Sequence, residues 1–311
     1  MSNIVKNQHY LPKFYLKGFC DQESKITIFD RERGEIRFNQ NPQKYAVERY
    51  FYDTDSKELK KLFEKWVILY PKLCNIINID DKQFIEHFFN RLETDIAKLF
   101  ETILNDPDVL YDQKNQSLIA YFLYTLAYRT APYRNSMDDS YNQFMSQMKE
   151  RNLDENMIKK ISEDIGMSSG AKSYQLEKLF DIDSINDFDY FIKNNYSWYY
   201  AIVEDTYGLL TSDNPALNGI LHFNDFCFPL TPNFALIFRS KDPNAKFISQ
   251  DIPHGNKLIL SFESVLQYNR ANLFINYPYK YIFGQKRDII KYLSFNSIEK
   301  ELLKILNVNK H

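Results

Sequence analysis

Apolar and polar positions change period twice along the chain. Lys25-Ile26-Thr27-Ile28-Phe29-Asp30 and Glu35-Ile36-Arg37-Phe38 alternate across Arg31-Glu32-Arg33-Gly34, the pattern of a β-hairpin with glycine in its turn. Before them, Tyr10, Leu11, Phe14, Tyr15, Leu16 and Phe19 fit a short helix begun near Pro12 and stopped around Gly18.

From about residue 57 the period becomes 3.6. Leu59, Leu62, Phe63, Trp66, Val67, Tyr70 and Leu73 mark one amphipathic helix, which Pro71 kinks or ends. A longer one carries Phe84, Ile85, Phe88, Phe89, Leu92, Ile96, Leu99, Phe100 and Ile103. Residues 115–131 are apolar nearly all round, as expected at the centre of a helical bundle. Helical patterns continue over 136–166 and 174–194, joined through Ser168-Ser169-Gly170.

Strand character returns after 196. Residues 196–203, 207–211 and 234–238 are rich in aromatic and β-branched types. A helix over 263–275 and a strand over 279–283 follow, then a final helix with Asn296 as cap, Glu299 three residues on, and Ile298, Leu302, Leu303 and Leu306 on its apolar side. The fold class is α+β: a central helical bundle over about 57–194 packed on a sheet formed from N-terminal and C-terminal strands. We expect one domain over 1–311, with sub-regions 1–56, 57–194 and 196–311.

Composition narrows the function classes. With 39 Lys and Arg against 41 Asp and Glu, there is no global positive field of the kind a DNA-coating protein carries, although a local basic groove is compatible with it. Three widely spaced cysteines, Cys20, Cys74 and Cys227, argue against a disulfide framework and for a reducing compartment. No signal peptide and no run of roughly 18 apolar residues is visible, so a cytoplasmic location away from membranes is expected. Aromatic residues make up 16% of the chain, which reflects either a stacking surface or an AT-rich genome.

Several chemistries lack their motifs. The eight glycines form neither a Walker loop nor a dinucleotide fingerprint, so no nucleotide cofactor is indicated. His and Cys show no zinc spacing, and no GxSxG elbow occurs. Three polar segments remain. His9, in Asn7-Gln8-His9-Tyr10 before Pro12, either serves as a general base or orders the N-terminus through a backbone carbonyl. Thr211-Ser212-Asp213-Asn214-Pro215 ends an apolar strand; Asp213 either ligates a metal or forms an Asx turn with Asn214. Arg129, at the end of the apolar 115–131 helix, needs an acidic partner or a phosphate, and Glu93 is the acid at hand.

These segments together resemble an uncharacterised, mainly bacterial family known as domain of unknown function 4238. The resemblance is carried by residues 7–19, Glu48-Arg49-Tyr50-Phe51-Tyr52, Glu93, Arg129-Thr130-Ala131-Pro132-Tyr133-Arg134, 211–215, Phe228-Pro229-Leu230-Thr231-Pro232 and Asn269. Ala131 stands where the family's Arg-Thr-Pro run has proline. The resemblance implies a single full-length domain in which His9, Arg129 and Asp213 share a site, and it supplies no activity.

The expectation drawn from all this is a metal-assisted phosphodiester hydrolase, a nuclease or nucleotide-cleaving effector. Asp213 and Glu93 would hold Mg²⁺ or Mn²⁺, His9 would act as base, and Arg129 would stabilise phosphoryl charge. Gln8, Tyr10, Ser212, Asn214 and Asn269 would bind substrate. The alternative is a noncatalytic module in which the same groups lock the fold and an aromatic surface binds nucleic acid or a partner protein.

Overall fold

The structure, a computed structural model, describes residues 4–72, 77–151, 153–164, 170–204, 207–215, 225–275 and 279–295. Its elements in chain order are β1 (Asn7–His9), α1 (Lys13–Lys17), β2 (Ile26–Asp30), β3 (Glu35–Gln40), β4 (Val47–Arg49), α2 (Ser56–Leu69), α3 (Phe84–Asn105), α4 (Gln113–Tyr128), α5 (Ala131–Glu150), α6 (Glu155–Asp164), α7 (Gly170–Leu179), α8 (Ile182–Asn195), β5 (Tyr196–Val203), β6 (Thr211–Ser212), β7 (Asp225–Thr231), β8 (Phe234–Ser240), β9 (Lys257–Leu260), the helix Phe262–Ile275, β10 (Tyr281–Gly284) and a helix over 286–295. The α+β class expected from the two periods is the class observed. Leu73, Ser168, Ser169 and the helix expected after Asn296 lie outside the described residues.

Two compact units form, each from two separate stretches of chain. One comprises residues 1–12 and 46–195, the other 13–45 and 196–311, so the opening motif divides at Pro12.

The first unit is helical apart from β1 and β4, which pair antiparallel with Gln8 opposite Glu48. Caps set its helix starts: the Asp55 carboxylate accepts from Glu58 N at 2.9 Å, and that of Asp112 from Lys114 N and Asn115 N. The Thr130 hydroxyl accepts from Tyr133 N, with Pro132 in the first turn of α5. α3 buries the stripe read from the sequence, including Ile85, Phe89, Ile96 and Ile103. α4 buries Ile119, Phe122, Leu123 and Leu126, in keeping with its apolar circumference. Each such side chain contributes about 1.5–3 kcal/mol on burial, more than the roughly 1 kcal/mol of a cap. The expected helix over 136–166 is two helices, α5 and α6; that over 174–194 is α7 and α8, interrupted after Leu179.

The second unit holds two four-stranded sheets, ordered β3-β2-β10-β6 and β7-β8-β5-β9. In the first sheet, the N-terminal hairpin joins a C-terminal strand, as expected: Phe29 is opposite Ile282 and Asp30 opposite Tyr281. Gly34 takes φ +66 in the hairpin turn, a conformation open to glycine without strain. A buried cluster including Ala201, Leu210, Ile237, Leu258, Tyr268 and Ile282 fills the interior.

Three features depart from the sequence reading. Of the expected 207–211 strand only Thr211, with Ser212 just beyond it, pairs with another strand, β10. β7 was not anticipated because Pro229 interrupts it; the strand lies at a sheet edge, where proline is tolerated. β9 is four residues long, too short for alternation to stand out.

Candidate functional site

Arg129 is the C-cap of α4 and is fully buried. Its Nη2 donates to Glu93 Oε1 at 2.7 Å and to the His9 carbonyl at 2.9 Å, and its Nε to the Tyr52 hydroxyl at 3.1 Å. The guanidinium also lies 4.4 Å from the centre of the Phe89 ring. Burial opposes its charge, but Tyr52 and Glu93 more than offset this and hold its pKa above the ordinary value. Tyr52, also buried, is pushed up to about 12. The Glu93 partner considered from the sequence is the observed one.

The N-terminal motif is anchored around the same centre. Gln8 is buried; its Oε1 accepts from Tyr52 N at 2.6 Å and its Nε2 donates to the Asp53 carboxylate. Gln83 donates to that carboxylate at 3.0 Å and accepts from Val5 N at 2.8 Å, closing a belt around strand β1. The Tyr10 amide donates to the Ala46 carbonyl, and its ring packs on Phe51. His9 is buried, with its carbonyl on Arg129. His9, Gln8, Tyr10, Glu93 and Arg129 therefore all lie in the first unit.

Asp213, Ser212, Asn214 and Asn269 lie in the second unit and are all buried. Asp213 Oδ1 accepts from Lys280 N at 2.9 Å and Tyr281 N at 3.0 Å, which fastens the end of β6 to the start of β10. Ser212 makes a local turn at this strand end, its hydroxyl accepting from Asn214 N at 3.2 Å. Asn269 takes the place of a strand partner for residues 208–210, accepting from Leu210 N at 2.8 Å and donating to the Gly208 carbonyl at 3.1 Å. This explains why the apolar run before Thr211 needs no ladder. A small pocket lined by Thr211, Ser212, Pro215, Pro229 and Asn272 has room for about one water molecule. Beneath it Tyr15 and Thr211 share a buried hydrogen bond of 2.9 Å, and burial raises the Tyr15 pKa.

As metal ligands, Glu93 and Asp213 each have one carboxylate oxygen already engaged, by Arg129 and by two backbone amides respectively. Among the described residues, no group of three or more His, Cys, Asp or Glu is placed to hold a metal ion. No helix of the described residues is long and apolar enough to cross a membrane.

A different surface was not singled out from the sequence. At the β2–β3 hairpin and the start of β10, Arg31 stacks 4.6 Å over Tyr279 and Lys280 5.5 Å over Tyr281; beyond the end of β10, Lys286 stacks 5.0 Å over Phe38 of β3, itself 40% exposed. Arg37 and Tyr281 project from one face of the sheet, because Arg37 is opposite Ile28 and Tyr281 opposite Asp30, while Phe38, next to Arg37 in β3, projects from the other. Each segment alone looks like an ordinary charged turn; sheet register brings them together.

A family model described as "Protein of unknown function (DUF4238)" matches residues 7–288. No curated protein and no solved structure matches the chain.

Proposed function

We propose that this chain, which belongs to the DUF4238 family, is a noncatalytic module that binds single-stranded nucleic acid. The observation that carries the reading is the basic and aromatic edge of the β3-β2-β10-β6 sheet. Arg31, Arg33, Arg37 and Lys280 gather there with Tyr279 and Tyr281, against the three carboxylates Asp30, Glu32 and Glu35, and Lys286 stacks on Phe38 of the terminal strand. Cations along a groove neutralise phosphates, and aromatic faces stack on bases without sequence preference. β3 is the terminal strand of its sheet, so its outer edge carries no further strand of that sheet.

The polar groups that the hydrolytic reading needs support the same conclusion in another way. Arg129, Asp213, Ser212 and Asn269 each hold backbone or an ion pair, the work of fasteners within their own units. A bacterial, cytoplasmic setting suits the module, since Cys20 and Cys227 are free thiols.

Fluorescence anisotropy with a labelled single-stranded oligonucleotide tests the reading. Binding should be salt-dependent and should weaken at least about tenfold in the double variant Arg31→Glu/Lys286→Glu. Absence of binding, or equal binding by that variant, would overturn it. Mg²⁺-dependent or Mn²⁺-dependent cleavage of the strand would restore the hydrolase.

A further inference from the structure

Arg134 and Lys172 are two cations that form no ion pair among the described residues. Both lie in the first unit, and each sits in the first turn of a helix, α5 and α7, that has no acidic residue in that turn. Their acceptors are all neutral. Arg134 Nε donates to Gln175 Oε1 at 2.7 Å and its Nη2 to the Phe51 carbonyl at 3.0 Å, while Lys172 Nζ donates to the Asp53 carbonyl. The Arg134 guanidinium also stacks 3.5 Å from the centre of the Phe51 ring, which fixes the plane of its fork.

Buried or half-buried cations ordinarily pair with carboxylates, as Arg129 does with Glu93. Here, among the described residues, none stands within 4 Å of either group. Glu48 and Asp138 act on Arg134, and Glu58 and Asp53 on Lys172, only at longer range. Burial is the largest influence on both cations, and it lowers the pKa of Arg134 to about 10 and that of Lys172 below its usual value; Arg134 adds to the effect on Lys172. Arg134 Nη1 has no protein acceptor and is open to solvent, and Lys172 Nζ uses only one of its three hydrogens.

The two head groups are held by the carbonyls of Phe51 and Asp53, two residues apart in the chain, and the Arg134 charge acts on Lys172. The two helix starts place the positive ends of their dipoles on the same side of the ledger as the side chains. We propose that Arg134 and Lys172 are an oxyanion site that takes the phosphate group of a small molecule. It is independent of the nucleic-acid surface, whose residues belong to the other unit.

Calorimetric titration with inorganic phosphate, and separately with pyrophosphate and a nucleoside monophosphate, tests the proposal. Saturable binding of at least one probe is expected, weakened at least tenfold in Lys172→Gln and in Arg134→Gln, and partly kept in Arg134→Lys. Tighter binding of the nucleoside monophosphate than of phosphate would identify a nucleotide as the source; the reverse would identify free phosphate. Circular dichroism shows whether each variant folds, and oligonucleotide binding by Lys172→Gln should equal that of the unmodified protein. Should no probe saturate, or should folded Lys172→Gln bind phosphate as well as the unmodified protein, the proposal is overturned.

Discussion

Arg129 and Glu93 form a 2.7 Å ion pair in which the guanidinium is fully buried and the carboxylate keeps 16% of its side chain exposed. Removing one partner of such a pair leaves an uncompensated charge. Glu93→Ala should therefore destabilise the protein by about 3–5 kcal/mol in urea unfolding. The double variant Arg129→Met/Glu93→Met should recover much of that loss, since a packed apolar pair avoids the desolvation cost. Additive losses in the double variant would show that the pair is not the relevant unit.

Asp213 separates fastening from catalysis. Asp213→Asn keeps an oxygen that can accept from Lys280 N and Tyr281 N, whereas Asp213→Ala leaves both amides without it. The alanine variant should lose about 1–3 kcal/mol and the asparagine variant markedly less. Equal destabilisation by both would contradict the fastening role.

Gly18 lies where the backbone passes close to strand β7. A Cβ there would come 2.4 Å from the Leu230 carbonyl oxygen, and a backbone atom gives way only by moving its strand. Gly18→Ala should cost about 1–3 kcal/mol by thermal or urea unfolding. A neutral result would mean that β7 shifts freely.

Asp225 makes stability depend on pH. Its carboxylate accepts from Ile248 N at 2.8 Å and the Tyr268 hydroxyl at 2.7 Å, yet burial outweighs these bonds and raises its pKa above the ordinary 3.8. The folded protein thus holds the proton more tightly than the unfolded chain. The group's contribution is full below about pH 3.9 and is lost as pH rises through the raised folded value. Asp225→Asn abolishes this titration, so the unmodified protein should lose stability relative to the variant as pH rises from about 4 through the raised folded value. Asp288, also raised by burial, is common to both proteins and cancels from the difference. A pH-independent difference would contradict the assignment.

The long-period and short-period stretches of the sequence carry the elements well where burial is one-sided. The α3 stripe and the β2–β3 hairpin were legible because each buries a single face that periodicity reports. β7 was hidden by Pro229, and the break after Leu179 by apolar residues on both sides of it. Of the candidate site, the pairing of Arg129 with Glu93 was legible, because a charge at the end of an apolar helix demands a partner. The partners of Asp213 and Asn269 were not, since they are backbone groups as many as 68 residues away, chosen by tertiary structure. Lys172 carries no local signal; its meaning comes from Asp53 and Arg134, which only the fold brings near.

The central claim is binding without cleavage, and one experiment addresses both halves. A labelled single-stranded oligonucleotide is incubated with the protein in Mg²⁺ and again in Mn²⁺; anisotropy is read first, and strand length on a denaturing gel afterwards. The account predicts salt-dependent binding that weakens in Arg31→Glu/Lys286→Glu, with the strand at full length. A shortened strand whose cleavage disappears in Asp213→Asn would contradict it.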